Sequence, residues 1–264
     1  MSLGETDANS GLSFPVISRS NTSPVRYPLI DIWRALAIIG VVIYHFVWDL
    51  SFFGYAPSSA VFNTPMTVFA RTLAGSFMFL VGVSLTIAHR DRIRWRKFFV
   101  RFAKLVVAAA VISVATYLMS PQNFIYFGIL HAIAAASFFG LLFLRLPIPI
   151  VLLTAVLMLS APFFFQTPIF DARILAWVGF ADRPPMANDF VPAFPWFGVT
   201  LAGIGLTRWF LPHTRYTTAS AVPRPRHGLF RKGLVWIGQK TLPIYLIHQP
   251  VLFGFFFSIQ YFGL

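Results

Sequence analysis

The chain of 264 residues contains no cysteine. Disulfides, thiolate metal sites and a cysteine-bound acyl intermediate are thereby excluded. Charge is also scarce: Asp, Glu, Lys and Arg supply 11% of the residues, against roughly a quarter in a soluble domain. That is too little to cover a water-exposed surface, so lipid has to take the role. Carboxylates are rarest, with 8 acidic residues against 21 basic ones and a net charge of +13. No nucleic-acid recognition module accompanies this excess, which argues against a nucleic-acid partner. Also lacking are a Gly-rich nucleotide loop, a His set spaced for metal and an internal repeat. The polar stretch from Met1 to about Val25 has no basic-then-apolar pattern ending in a small-residue cleavage site, so it does not read as a cleaved signal peptide.

What is present is apolar: 57% hydrophobic and 17% aromatic residues, with a mean hydropathy of +0.73. A membrane span needs about 20 mostly apolar residues. Such stretches run from Tyr27 to Leu50, Met66 to Ala88, Phe98 to Met119, Phe124 to Leu144, Ile148 to Phe165, Val191 to Leu211 and Thr241 to Phe262. The expectation is an all-α integral membrane bundle of about seven spanning helices, with residues 1–26 as a disordered cytosolic tail and 27–264 as one transmembrane domain. If the helices alternate, every Lys and Arg except Arg71, Arg173 and Arg183 falls on one side. The positive-inside rule then puts the N-terminus in the cytosol and the C-terminus outside, in the cytoplasmic (inner) membrane. The dense run Arg90, Arg92, Arg94, Arg96 and Lys97 is explained mostly by topology and anionic lipid, with phosphate binding as an alternative.

The first span holds four ionisable residues: Asp31, Arg34, His45 and Asp49. At 100° per residue, with Arg34 at zero, His45 falls at about 20° and both aspartates at about 60°. They share one narrow stripe. A charge at mid-membrane costs roughly 2.5–3.5 kcal/mol on insertion scales, so the stripe must face other helices or a wet cavity. Asp31 and Arg34 alone would pass as a structural clasp; the full stripe reads as functional. Eleven residues separate Arg34 from His45, or roughly 16 Å of helix axis, which suits a long substrate held by a cation at one end and a base at the other. Asp49, one turn on, could orient the imidazole.

Three further positions stand beside this stripe. His131 belongs to Gly128-Ile-Leu-His131 and is equally readable as a helix-packing histidine. Asp189 opens Asp189-Phe-Val-Pro-Ala-Phe-Pro-Trp196-Phe-Gly198, where capping of a helix N-terminus is the plainer explanation. His248, in Tyr245-Leu-Ile-His248-Gln249-Pro250, is placed one turn above the basic flank, lining a cavity or relieving strain beside Pro250.

The pattern Asp31-x-x-Arg34-x₁₀-His45 resembles the acyltransferase-3 family. Together with His45-Phe-Val-Trp-Asp49 and the segments around His131, Asp189 to Gly198 and His248, it is more similar to the catalytic-domain family of heparan-α-glucosaminide N-acetyltransferase. The resemblance covers Tyr27 to Phe262. It implies transfer of an acyl group, acetyl first of all, from cytosolic acyl-CoA to an extracytoplasmic acceptor, usually a sugar. It further implies His45 as base or transient acyl carrier with Asp49 and His131 in support, and Arg34, Asp31 and His248 along the donor channel. Asp189 and Trp196 would shape the acceptor mouth. Acyl-CoA is then a substrate, with no metal and no bound cofactor; homo-oligomerisation stays open. A small proton-coupled transporter or a non-enzymatic membrane protein is the alternative to an enzyme.

Overall fold

A computed structural model describes residues 27–211 and 228–263. The expected N-terminal tail and the basic residues Arg215, Arg224 and Arg226 lie outside these described residues. Within them the regular structure is helical. The helices are α1 (Pro28–Phe52), α2 (Thr64–Ala88), α3 (Trp95–Met119), α4 (Ile129–Phe143), α5 (Ile148–Phe164), α6 (Arg173–Ala176), α7 (Ala193–Phe210), α8 (Leu229–Gln239) and α9 (Thr241–Phe262).

Each expected span coincides with a helix, but the helices are not of one kind. Four of them, α1, α2, α3 and α9, are long and apolar enough to cross a membrane, so the chain is a membrane protein. The other three have 15, 17 and 18 residues, or about 22, 26 and 27 Å of helix against a hydrocarbon core of about 30 Å. By length and composition, four of the seven expected spans qualify on their own among the described residues.

The main shortening occurs in the fourth span, where helix was expected from Phe124. Instead the stretch before Ile129 runs alongside the loop that leads into α7. Asn188 N donates to Asn123 O at 2.9 Å and Val191 N to Phe127 O at 3.0 Å, with Phe127 and Phe190 forming an isolated parallel bridge. Hydropathy counts the aromatics of this strap as span because it registers apolarity and not backbone conformation. In α7, Phe194 between Pro192 and Pro195 keeps a non-helical backbone. The amphipathic α8 was not anticipated. It packs along α1, where a Cβ at Gly238 would strike the Asp31 carbonyl.

Lipid tails give helices no hydrophobic reason to associate, so close approach has to come from small residues. At the α2–α7 crossing, a Cβ on Gly82 would meet the Thr200 carbonyl and one on Gly203 the Phe79 carbonyl. The central core joins Ile38 and Val41 of α1, Met78 and Val81 of α2, and Ile129 and Ala132 of α4. On α1, Leu36 and Ile43 are exposed while Asp49 is completely buried, so the polar stripe faces into the bundle.

Candidate active site

The Arg34 end of the stripe is a hydrogen-bonded cluster. Arg34 Nη1 pairs with Asp31 Oδ1 at 2.9 Å, and Arg34 Nη2 donates to Ser84 Oγ of α2 at 2.5 Å. Ser84 in turn donates to the Leu80 carbonyl one turn back. Gln239, the last residue of α8, reaches Asp31 Oδ2 at 3.5 Å. The clasp expected for Asp31 and Arg34 is therefore present, and it ties α1 to α2 and α8.

Residues Tyr245 to Gln249 of α9 meet the His45 end. The His45 and His248 rings lie 4.9 Å apart, centroid to centroid. His248 Nδ1 lies 2.7 Å from the Tyr245 carbonyl. A carbonyl can only accept, so Nδ1 carries the proton and Nε2 is left as a bare acceptor. Gln249 Nε2 donates to Asp49 Oδ1 at 2.8 Å. Asp49 Oδ2, His248 Nε2 and Gln249 Oε1 are buried without a hydrogen-bond partner. Buried polar atoms nearly always have one, so three orphans at one helix contact mark a place built for something else.

Between the helices on the basic side opens a cavity of about 1700 Å³, beyond the roughly 300–1,000 Å³ typical of a small-ligand pocket. Arg90, Arg94, Arg101, Lys104, Arg145 and Lys240 are among the residues that line it. Arg34 stands on its wall, and apolar side chains of Phe77, Leu80 and Val81 continue inward to Ile129 and Tyr245. Neither His45 nor His248 lines it. Tyr245, one turn before His248, is among its lining residues, and Ile38 and Val41 of α1 are buried in the central core.

Behind Tyr245 lies Asp189. Its Oδ2 accepts from Ile129 N at 2.7 Å, and the Tyr245 hydroxyl bonds the same carboxylate. Asp189 thus caps α4 across the bundle, where the sequence suggested it would cap the helix it precedes. A Cβ at Gly128 would collide with this carboxylate, which accounts for the glycine. Removal from water raises the Asp189 carboxyl to about 6, opposed by the bonds from Ile129 and Tyr245. A carboxyl whose folded value exceeds its unfolded one costs nothing below about pH 4 and its full penalty above about 6. Asp189→Asn should therefore flatten the fall in thermal stability between pH 4 and 6, and raise the midpoint at pH 7, in detergent melts across that range. About 3 kcal/mol is the upper limit of this effect.

The structure thus joins His45, Asp49 and His248, with Arg34 and Asp31 at the far end of the same helix. His248 packs on His45 and not, as expected, just above the basic flank. His131 is engaged elsewhere: its Nδ1 accepts from Gly128 N at 3.3 Å, and its Nε2 faces Ser113 Oγ at 3.2 Å. Trp196 packs over Gly75 of α2 and against the central core. Tyr245 and Gln249 carried no role in the sequence reading, although both flank His248 in its motif. Arg101 was visible only as a charge just inside the third span.

The fold and site describe a helical membrane protein with a basic chamber and a packed imidazole pair, and the sequence comparison supplies its class. Residues 26–250 match the family described as heparan-alpha-glucosaminide N-acetyltransferase, catalytic, and the chain belongs to that family of membrane acetyltransferases. No curated protein and no solved structure matches it.

Proposed function

We propose that this protein transfers an acyl group, acetyl in the first instance, from cytosolic acyl-CoA to an extracytoplasmic acceptor carrying a hydroxyl or amine, a sugar or another small glycan component. The observation that carries this reading is the large basic chamber that runs onto the Arg34 end of the seam. CoA has an anionic nucleotide head and a thin neutral arm. Arg101, Lys104, Arg94 and Arg145 offer the phosphates charge-assisted donors, and the apolar wall of Phe77, Leu80 and Val81 accommodates the arm. The thioester is carried toward His45, which serves as base or transient acyl carrier. Swinging the Tyr245 side chain off the chamber wall opens the way to the imidazoles. Water excluded by the bundle limits hydrolysis.

In this reading all seven apolar helices cross the cytoplasmic membrane, with the N-terminus inside and the C-terminus outside. The short α4 packs against α2, α3 and α7, and a span shorter than the hydrocarbon core is accommodated by local thinning of the bilayer. The long loop between α5 and α7 then lies outside, where Arg173 donates to the Gln122 carbonyl and covers the Phe124 and Tyr126 rings.

Liposomes containing the purified protein, given labelled acetyl-CoA and a panel of amino sugars and sugar alcohols, test the proposal. Acceptor-dependent release of free CoA thiol is expected, and a folded protein that releases none with any acceptor sinks it. In the same assay Arg101→Ala should raise KM for acetyl-CoA on the order of tenfold, with kcat nearly unchanged, because it removes binding energy spent equally on ground and transition states.

A further inference from the structure

We infer that His248 is the base that takes the proton from the acceptor's nucleophilic group, and that Asp49 and Gln249 hold that group in place. This rests on the acyltransferase reading and extends it from the donor to the acceptor.

Three buried atoms without partners define the place: Asp49 Oδ2, His248 Nε2 and Gln249 Oε1. All three are acceptors. The Gln249 amide nitrogen is already given to Asp49 Oδ1, leaving its oxygen free. The His248 proton is fixed on Nδ1 by the Tyr245 carbonyl, leaving the Nε2 lone pair free. A set of acceptors with no donor among them fits a ligand that brings hydrogens, which a hydroxyl or amine does. The neighbouring ring at 4.9 Å is His45, the imidazole on the same helical stripe as Arg34. The two histidines therefore divide the site: His45 toward the donor, His248 toward the acceptor. His131 cannot share this work while both its nitrogens are occupied by Gly128 and Ser113.

The chemistry balances without an added reagent. The acceptor heteroatom bonds to the thioester carbonyl carbon as its own hydrogen passes to His248 Nε2. The carbon–sulfur bond breaks, and the proton leaves the imidazolium for the CoA sulfur as free thiol. The acylated acceptor and CoA–SH are the products, and His248 returns to its starting tautomer.

His248→Asn tests this, because an asparagine amide can still donate to the Tyr245 carbonyl but has no basic nitrogen. His248→Gln is the second variant, should the first not fold. Acetyl transfer, acetyl-CoA affinity and detergent melting are measured on each. The expected result is a kcat lowered by about 10²–10⁴-fold, with KM for acetyl-CoA and the melting midpoint close to wild type. Gln249→Leu should raise KM for the acceptor while leaving KM for acetyl-CoA unchanged. Transfer by a folded His248 variant within threefold of wild type overturns the assignment. So does a change confined to KM for acetyl-CoA, which would put His248 in the donor channel. Absence of transfer by the wild-type protein itself would instead remove the acyltransferase reading.

Discussion

Replacing His45 with alanine should reduce acetyl transfer from labelled acetyl-CoA by at least 100-fold, and by as much as about 10⁴-fold, in protein that still folds. The two halves of that statement have separate grounds. The imidazole is the only basic side chain on the C-terminal part of the α1 stripe, and it lies against the bare face of His248. In the proposed mechanism its removal takes away the imidazole on the donor side that serves as base toward the attacking group or as transient acyl carrier. The fold should persist because no hydrogen bond among the described residues depends on the ring, whereas Asp49 and Arg34 are bonded to α9 and α2. Melting in detergent alongside the transfer assay gives the comparison. If the stripe were a clasp and no more, alanine would lower the melting midpoint and leave the specific activity of the surviving protein unchanged.

The second large effect concerns stability. Gly203→Val should prevent accumulation of folded protein, or lower its melting midpoint by more than 10 °C, a loss of several kcal/mol. At the α2–α7 crossing the two backbones are in direct contact. Any Cβ at position 203 is driven into the Phe79 carbonyl and toward Gly82, and backbone on both sides leaves no flexible side chain to yield. Gly254, whose Cβ would meet nothing within 4 Å, is the matched control. Gly254→Val should leave stability close to wild type, because a Cβ meets no neighbour there and valine has a slightly better helix propensity than glycine. Yield in membranes and detergent melts of the two variants separate a packing effect from a general intolerance of valine.

Much of this could be read from the residues because it follows from periodicity. A 3.6-residue repeat places Asp31, Arg34, His45 and Asp49 on one face, and the cost of leaving charge in lipid turns that face inward; both are properties of a single helix. The membrane class and the helix positions are of the same kind. What could not be read depends on which helix meets which. The register of α9 against α1 sets His248 on His45 and Gln249 on Asp49, and no local signal encodes it. The Asp189 cap is likewise a contact across the bundle, between residues 60 apart in sequence. The strap from Phe124 to Gly128 was misread for a different reason: its aromatic residues carry the hydropathy of a span while its backbone pairs with a distant loop. The amphipathic α8 went unnoticed because an 11-residue helix is too short for a spanning window.

The clasp and the imidazole stand on one uninterrupted helix, so α1 works as a measuring rod. In the proposed mechanism it fixes how far from the basic mouth of the chamber the chemistry takes place, independently of any loop. One residue inserted between Ala35 and Tyr44 would swing His45 by about 100° out of the seam, while an insertion of seven would restore its facing but push it about 10 Å further out. On that proposal, the length of donor is written into the count of residues from Arg34 to His45.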